Sequence, residues 1–217
     1  MRKSCVMVLT LLLTLTVHYG CGGDPADRSS HSPVLTSRIL SNQSADGDIA
    51  FTHPSTYVIS SANITFNVLA GVHPSTGEEF RGFLDFPLGD SEGVPLDATI
   101  VSATLEITIK SVTVEQSGDT VPMILDLVYF QPPSLVSTDF DCSIQPPLLS
   151  EPFVIFTSDA GSNVAIDVTP LMEEAQRREL ADLQVRLLLD FSAATGLIEI
   201  DDGAAVTAPS LTVQYYE

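Results

Sequence analysis

The sequence is poor in positive charge. It has 9 Lys and Arg residues against 28 Asp and Glu residues, which gives a formal net charge of −19. Arg2 and Lys3 precede every acid, so a chain cut after residue 20 keeps seven of the nine cations and a net charge of −21. A nucleic-acid binder needs cations against phosphates. The composition therefore excludes nucleic acid as a partner and disfavours direct binding to anionic lipid.

Cysteine and tryptophan are also scarce. The chain has three Cys and no Trp. Cys5 and Cys21 lie near the start, which leaves Cys142 without a partner for an internal disulfide. The absence of Trp removes the largest aromatic platform for sugar binding, although ten Phe and five Tyr remain. With 44% hydrophobic residues, the chain can bury a core of ordinary size.

No apolar run reaches the roughly 20 residues that a transmembrane helix needs. The apolar stretch at 6–17 follows a basic start, and this pattern predicts a signal peptide over residues 1–20. Gly20 and Cys21 resemble the lipobox of bacterial lipoproteins, which implies acylation of Cys21. The protein is then expected at the outer membrane or cell surface, with the lipid as its only membrane contact. Cleavage by ordinary signal peptidase, which gives a secreted protein, is the alternative.

The remaining chain divides into two parts. Residues 21–48 are rich in Ser, Asp, Gly and Pro, which predicts a flexible tether. Residues 49–217 contain many short runs of β-branched and aromatic residues with period 2. The longest run is 99–114, where apolar and polar residues alternate as expected for a strand with one buried face.

Nine shorter segments also predict strands: 56–60, 64–70, 80–86, 123–130, 153–157, 164–168, 183–191, 197–200 and 211–216. Pro pairs at 132–133 and 146–147 bound a loop between two of them. Thr169 and Pro170 are typical of a helix start and predict one short helix. Many strands with a single helix predict an all-β fold, a jelly-roll-type β-sandwich over 49–217.

Four motifs follow one another in an order that resembles a known family. They are RGFLDFPL at 81–88, DATIVSATL at 97–105, DVTPL at 167–171 and APSLTV at 208–213. Together they resemble the DNRLRE-type domain, which is related to disaggregatase modules and to a family of carbohydrate-binding modules. This resemblance implies a jelly-roll β-sandwich on secreted or cell-surface bacterial proteins, often in the company of glycan-active partners.

Pairs of acids offer candidate ligands for Ca²⁺, which takes 6–8 oxygen ligands. Glu199 and Asp201 are two residues apart and share one face of a strand, and Asp202 begins a turn beside them. A Ca²⁺ site using Glu199, Asp201 or Asp202 is one interpretation, and solvated surface acids are the other. Further pairs with the same spacing are Asp46 with Asp48 and Asp139 with Asp141. None of these pairs has the spacing of an EF-hand.

Three residues are candidates for ligand binding. Tyr57 and Tyr129 can offer aromatic platforms to sugar rings, and Arg81 on its strand can contact a sugar. Core packing of the tyrosines and a salt bridge of Arg81 are the structural alternatives. No G-x-S-x-G motif is present, and the His residues lack metal-ligand spacing, so we expect no enzymatic activity.

Two functions stay open after this reasoning. The first is an exported, surface-tethered lipoprotein with a structural or adhesion role in the cell envelope, which contacts an envelope protein through a sheet face or edge. The second is a module that binds extracellular glycan, with Ca²⁺ as the only cofactor that the acidic clusters suggest.

Overall fold

The computed structural model describes residues 33–89, 93–115, 118–132, 134–190, 195–203 and 206–217. The signal peptide predicted at 1–20 and the lipidation site predicted at Cys21 lie outside the described residues and stay predictions. No helix in the described ranges is long and apolar enough to cross a membrane.

Within the described residues, twelve strands join in one curled sheet, and all pairings are antiparallel. The strands are β1 (Leu35–Leu40), β2 (Gly47–Thr52), β3 (Thr56–Ser61), β4 (Asn67–Val72), β5 (Glu79–Pro87), β6 (Thr99–Val114), β7 (Thr120–Val128), β8 (Leu149–Phe156), β9 (Asn163–Asp167), β10 (Asp182–Leu189), β11 (Gly196–Asp201) and β12 (Ser210–Tyr216). Helix α1 (Ala62–Thr65) is a single turn, and helix α2 (Thr169–Arg177) packs on the sheet.

The strands of this sheet follow one main path with side branches. The main path is β1-β12-β6-β11-β4-β5-β10-β7-β8. β6 is long enough to pair with β12 along its first half and with β11 along its second half, while β9 pairs with its other edge. The predicted all-β fold, a jelly-roll-type β-sandwich with one short helix, is confirmed.

The core follows the alternation predicted for the long strand. Ala103, Leu105, Ile107 and Ile109 of β6 are fully buried, and their polar neighbours face outward. The sequence predicts Thr169 as the N-cap and Pro170 as the first helical residue, whereas helix α2 already begins at Thr169. The helix buries an apolar face on the same core.

The boundary predicted between tether and domain is wrong. Residues 35–40 form β1, which pairs with β12 along its whole length, and β2 begins at Gly47. The sandwich therefore includes much of the segment that composition assigned to the tether over 21–48. The strand predicted at 64–70 also begins late, because residues 62–65 form α1. The composition of residues 35–40 does not indicate a strand, because β1 is stabilised by pairing with β12 at the far end of the chain.

A second apolar cluster lies on the outer side of the sheet. It comprises Ile49, Phe83, Val128, Phe130, Leu135 and Phe140, with Phe51 packed against them. The long connection between β7 and β8 supplies three of these residues, and its only regular element in the described part is a 3₁₀ turn at Ser137–Phe140. The loop predicted between the Pro pairs is thus confirmed, and it covers a face of the sheet.

Arg186 holds this loop on the sheet. Its side chain is fully buried, and its guanidinium lies 2.7 Å from the Asp126 carboxylate. The same guanidinium donates to the carbonyl oxygens of Asp139 at 3.0 Å and Gln145 at 3.3 Å. Because both carbonyls belong to the loop, a charged pair inside the protein fixes the loop's position over β10.

Candidate functional site

The β2–β3 hairpin projects from the edge of β5. β2 pairs with β5 on one side and with β3 on the other, so β3 is the outermost strand here. The first four residues of β3 are exposed. Gly47 is needed at the base of the hairpin because a Cβ at this position would collide with the Ser60 carbonyl oxygen.

Three aromatic rings meet at this hairpin. Tyr57 lies opposite Phe51 in the strand register, and their ring centroids are 5.0 Å apart. Phe140, from the loop, lies 5.5 Å from Tyr57 and 5.6 Å from Phe51. These separations are typical of favourable aromatic packing. Tyr57 remains 42% exposed, so the two Phe rings hold an aromatic side chain that still meets solvent.

Arg81 contacts this aromatic group through Phe140. Its guanidinium carbon lies 4.0 Å from the centre of the Phe140 ring, a cation–π distance. It forms an ion pair with Glu79 at 2.7 Å and donates to the Phe140 carbonyl oxygen and to the Cys142 thiol sulfur. Only 11% of its side chain is exposed. Arg81 therefore positions Phe140, and it is Tyr57 that faces outward.

A pocket of about 220 Å³ opens against the second half of β3. Its lining combines hydroxyl, carboxyl and apolar groups from Ala45, Asp46, Ile59, Ser60, Ser61, Ser134 and Leu135. Ile59 follows Tyr57 by two residues on β3, so the two side chains share one face of the strand. We call the exposed Tyr57 ring and this pocket together the β3 face.

Asp46 of the pocket lining is one of three buried aspartates that lie close together. Asp46 and Asp202 are each 1% exposed, and Asp85 is 2% exposed. Asp46 Oδ1 accepts from the Asp85 backbone N–H at 2.7 Å. Burial raises the pKa of Asp46 well above its ordinary value, and the nearby Asp202 carboxylate raises it further. Burial also raises the pKa of Asp202, to about 6.

Asp48 is a separate buried carboxyl group. Its Oδ2 accepts from the Leu69 backbone N–H at 3.2 Å, and the residue is 1% exposed. Burial raises the pKa of Asp48 to about 6. The sequence pairing of Asp46 with Asp48 thus found two buried acids, but each has its own surroundings in the fold.

The three acids predicted as a metal site do not converge. Glu199 and Asp201 share a face of β11, as expected, but both lie near Lys110, at 3.7 Å and 3.9 Å from its amine. Glu199 also accepts from Asn67 and Ser111. Asp202 is buried beside Asp46 instead. In the part of the chain that the structure describes, no three His, Cys, Asp or Glu side chains form a group that could hold a metal ion.

The other pair predicted from spacing has a structural role. Asp139 Oδ2 accepts from the Val136 N–H at 2.8 Å, and Asp141 Oδ1 accepts from the Ser143 N–H at 2.7 Å. Both acids stabilise turns of the loop between β7 and β8. They therefore fix the shape of the loop that covers the outer apolar cluster.

Tyr129 does not join the aromatic group. It is 59% exposed, and its hydroxyl accepts a hydrogen bond from Gln131 at 3.2 Å. Among the described rings, those in contact with Tyr57 belong to Phe51 and Phe140. Of the ligand-binding residues predicted from sequence, the fold brings Tyr57 and Arg81 together around Phe140 and leaves Tyr129 elsewhere.

Sequence reasoning missed the pocket residues. Ser60, Ser61 and Ser134 supply its hydroxyl groups, and no local pattern distinguishes them from other serines. The only available signal was the loop bounded by Pro pairs, which indicated a long connection without saying which face it covers. Ser134 and Phe140 reach β3 because Arg186 holds that loop in place.

Comparisons with known proteins give little about function. A scan of protein-family models finds no match, so the resemblance to the DNRLRE-type domain stays a prediction. A search of curated proteins also finds no match. Among solved structures, a xylan-binding module CBM15 matches with a TM-score of 0.36 and 13% sequence identity, over 84% of this chain and 97% of that chain. At that score and identity, the match carries no information about a ligand.

Proposed function

We propose that this protein is a non-catalytic glycan-binding domain and that the β3 face is its binding site. One observation carries the proposal: strand β3 carries a partly exposed tyrosine ring and also lines a pocket that contains three serines and a carboxyl group. Sugars present apolar C–H faces that stack on aromatic rings and hydroxyls that need hydrogen-bond partners. The β3 face offers both within one surface.

Charge favours a neutral glycan. The chain carries a net charge of −19, and the pocket itself contains Asp46. A polyanionic sugar chain is repelled by such a surface. We therefore expect binding to neutral polysaccharides, such as unsubstituted xylan, mannan or β-glucan, and none to polygalacturonate.

The decisive test is the Tyr57→Ala variant. Removing the exposed ring takes away the stacking platform, so we expect affinity for the bound polysaccharide to fall about tenfold. Affinity electrophoresis of both proteins in gels that contain each polysaccharide measures this change. Tyr129→Ala is the matched control, since it removes a more exposed tyrosine that does not contact the Tyr57 aromatic group. Equal loss in both variants, or retention by Tyr57→Ala, would contradict the proposed site.

We further propose that the domain is exported and held at the cell surface by a lipid on Cys21. In a bacterial host, the full chain is expected to incorporate labelled palmitate. The Cys21→Ser variant should lose the label, while Cys142→Ser should keep it. Equal labelling of wild type and Cys21→Ser would reject the lipid anchor and favour simple secretion.

A protein-binding role has one observation in its favour. The outer edge of β3 has no strand partner among the described residues, and Val58 on it is 53% exposed. An exposed apolar edge can accept a strand from another protein. Pull-down from envelope extracts with wild type and Val58→Lys distinguishes this role. A partner lost only in Val58→Lys, with no polysaccharide bound by the wild type, would replace the glycan proposal.

A further inference from the structure

We propose that the free edge of β9 binds an extended, basic segment of a partner protein. This surface differs from the β3 face, and the proposal goes beyond the proposed glycan function. A pocket of about 350 Å³ opens between β8 and β9. β8 lines it with residues 151–154, β9 lines it with residues 164–167, and α2 adds Pro170. We call this surface the β9 groove.

The outer edge of β9 carries backbone groups that are free to pair with another strand. Among the described residues, β9 pairs with β6 and with no other strand. Directly after β9, the Val168 N–H donates to the Ala103 carbonyl oxygen at 2.9 Å. Because hydrogen-bonded positions alternate along an antiparallel pair, the even-numbered residues of β9 also bond to β6. The N–H and C=O groups of Ala165 and Asp167 therefore point away from β6, at the free edge.

The outer edge of β8 is largely closed to pairing. The Thr157 N–H donates to the Asp119 carbonyl oxygen at 2.8 Å, so the N–H groups that point outward on β8 belong to its even-numbered residues. Pro152 has no N–H, and the Phe156 N–H already donates to Asp159 Oδ2 at 2.8 Å. Proline in such a position protects an edge strand from pairing. An added strand therefore pairs with β9 and packs its side chains against β8.

The side chains of the groove combine apolar surface with negative charge. Phe153 and Val164 are partly buried and pack against the core, and Val154 is 46% exposed. Glu151 is partly buried, and no described side chain forms an ion pair with its carboxylate. Asp167 is exposed and accepts only from Thr169, among the hydrogen bonds of described residues. The described lining contains no Lys or Arg, so a partner can supply the missing positive charge.

Charge selects a basic partner over a second copy of this chain. The chain has 28 acidic and 9 basic residues, so two copies repel each other while a basic segment is attracted. Such a segment pairs its main chain with β9, as in strand addition to an open sheet edge. The stems of its Lys or Arg side chains can pack along Phe153 while their charges reach Glu151 and Asp167.

Binding of synthetic peptides to the protein tests this surface without any glycan. The probe is a fluorescent nine-residue peptide of alternating Lys and Val, and a peptide of alternating Glu and Val is the charge control. Fluorescence polarisation measures both affinities. We expect the Lys peptide to bind, with an affinity that falls as the salt concentration rises, and the Glu peptide not to bind. Equal binding of both peptides, or binding of neither, would overturn the proposal.

Variants of the groove separate specific binding from general attraction to an acidic protein. Glu151→Gln removes a charge that the peptide pairs with and should weaken binding of the Lys peptide about fivefold. Ala165→Pro removes an N–H at the free edge of β9 and should weaken binding about tenfold. Circular dichroism confirms that each variant folds, and Glu151→Gln still tests the groove if Ala165→Pro does not fold.

Two control variants lie outside the groove. Glu173→Gln removes an exposed acid on α2, so it makes the same change in net charge as Glu151→Gln and should leave peptide binding unchanged. Val58→Lys alters the edge of β3 and should also leave it unchanged. Equal weakening by Glu151→Gln and Glu173→Gln would show non-specific attraction, and loss in Val58→Lys alone would place the peptide on β3. Either result would refute the proposal, as would loss of polysaccharide binding in Glu151→Gln, which would make the groove a sugar site.

Discussion

Replacing Arg186 with Met is expected to lower the free energy of unfolding by about 3–5 kcal/mol. The substitution leaves Asp126 buried and charged without its partner, which is far more costly than losing an exposed pair. It also removes the two hydrogen bonds that fix the loop between β7 and β8. Urea denaturation followed by circular dichroism measures the change.

Two control variants show whether the unpaired Asp126 charge causes the loss of stability in Arg186→Met. Arg177→Ala breaks an ion pair with Glu174 in which the arginine side chain is 65% exposed, and it should cost at most about 1 kcal/mol. The double variant Arg186→Met, Asp126→Leu removes both buried charges and should recover most of the lost stability. A double variant as unstable as the single one would show that loop hydrogen bonds, and not the unpaired charge, dominate.

In EDTA, stability is expected to fall as the pH rises from about 4 to about 6. Burial raises the pKa of Asp48 and of Asp202 to about 6, and it raises the pKa of Asp46 as well. The folded chain therefore holds protons in a range where the unfolded chain has released them. More protons are bound in the folded state, so stability declines through this window.

The Asp48→Asn variant isolates the contribution of Asp48 to this pH dependence of stability. Asp48 alone accounts for about 3 kcal/mol of the decline, since its pKa rises by about two units. Asp48→Asn should flatten the curve by this amount. Asp167→Asn is the control. Hydrogen bonds from Thr169 lower the pKa of Asp167, so this residue affects stability only at more acidic pH and its substitution should leave the decline unchanged. Stability that rises between pH 4 and 6 in the wild type would contradict the assigned burial.

Strands with a local signature were predictable from sequence. The alternation in β6 reports directly which side chains enter the core, and Thr169 with Pro170 marks the start of α2. β1 was not predictable, because only Ile39 is buried in it and its stability comes from pairing with β12. A strand at the edge of a sheet needs few apolar residues, so its composition resembles that of a tether.

The candidate site was predictable only in part. Tyr57 stood out as an aromatic residue on a strand, and its exposure fits a platform. The pocket beside it depends on Ser134, which reaches β3 through a loop fixed by the buried Arg186. Spacing paired Asp46 with Asp48 and Asp202 with Asp201, whereas the fold places Asp46 beside Asp202. Contacts between residues this distant in sequence depend on the tertiary fold and leave no local pattern.

The most direct test of the central claim is an NMR titration of the domain with a neutral oligosaccharide taken from the polysaccharide series. The glycan proposal predicts amide shift changes concentrated at residues 57–61 and 134–135, around Tyr57 and the pocket. Shift changes confined to residues of β1 and β12, or none with any neutral oligosaccharide, would contradict it.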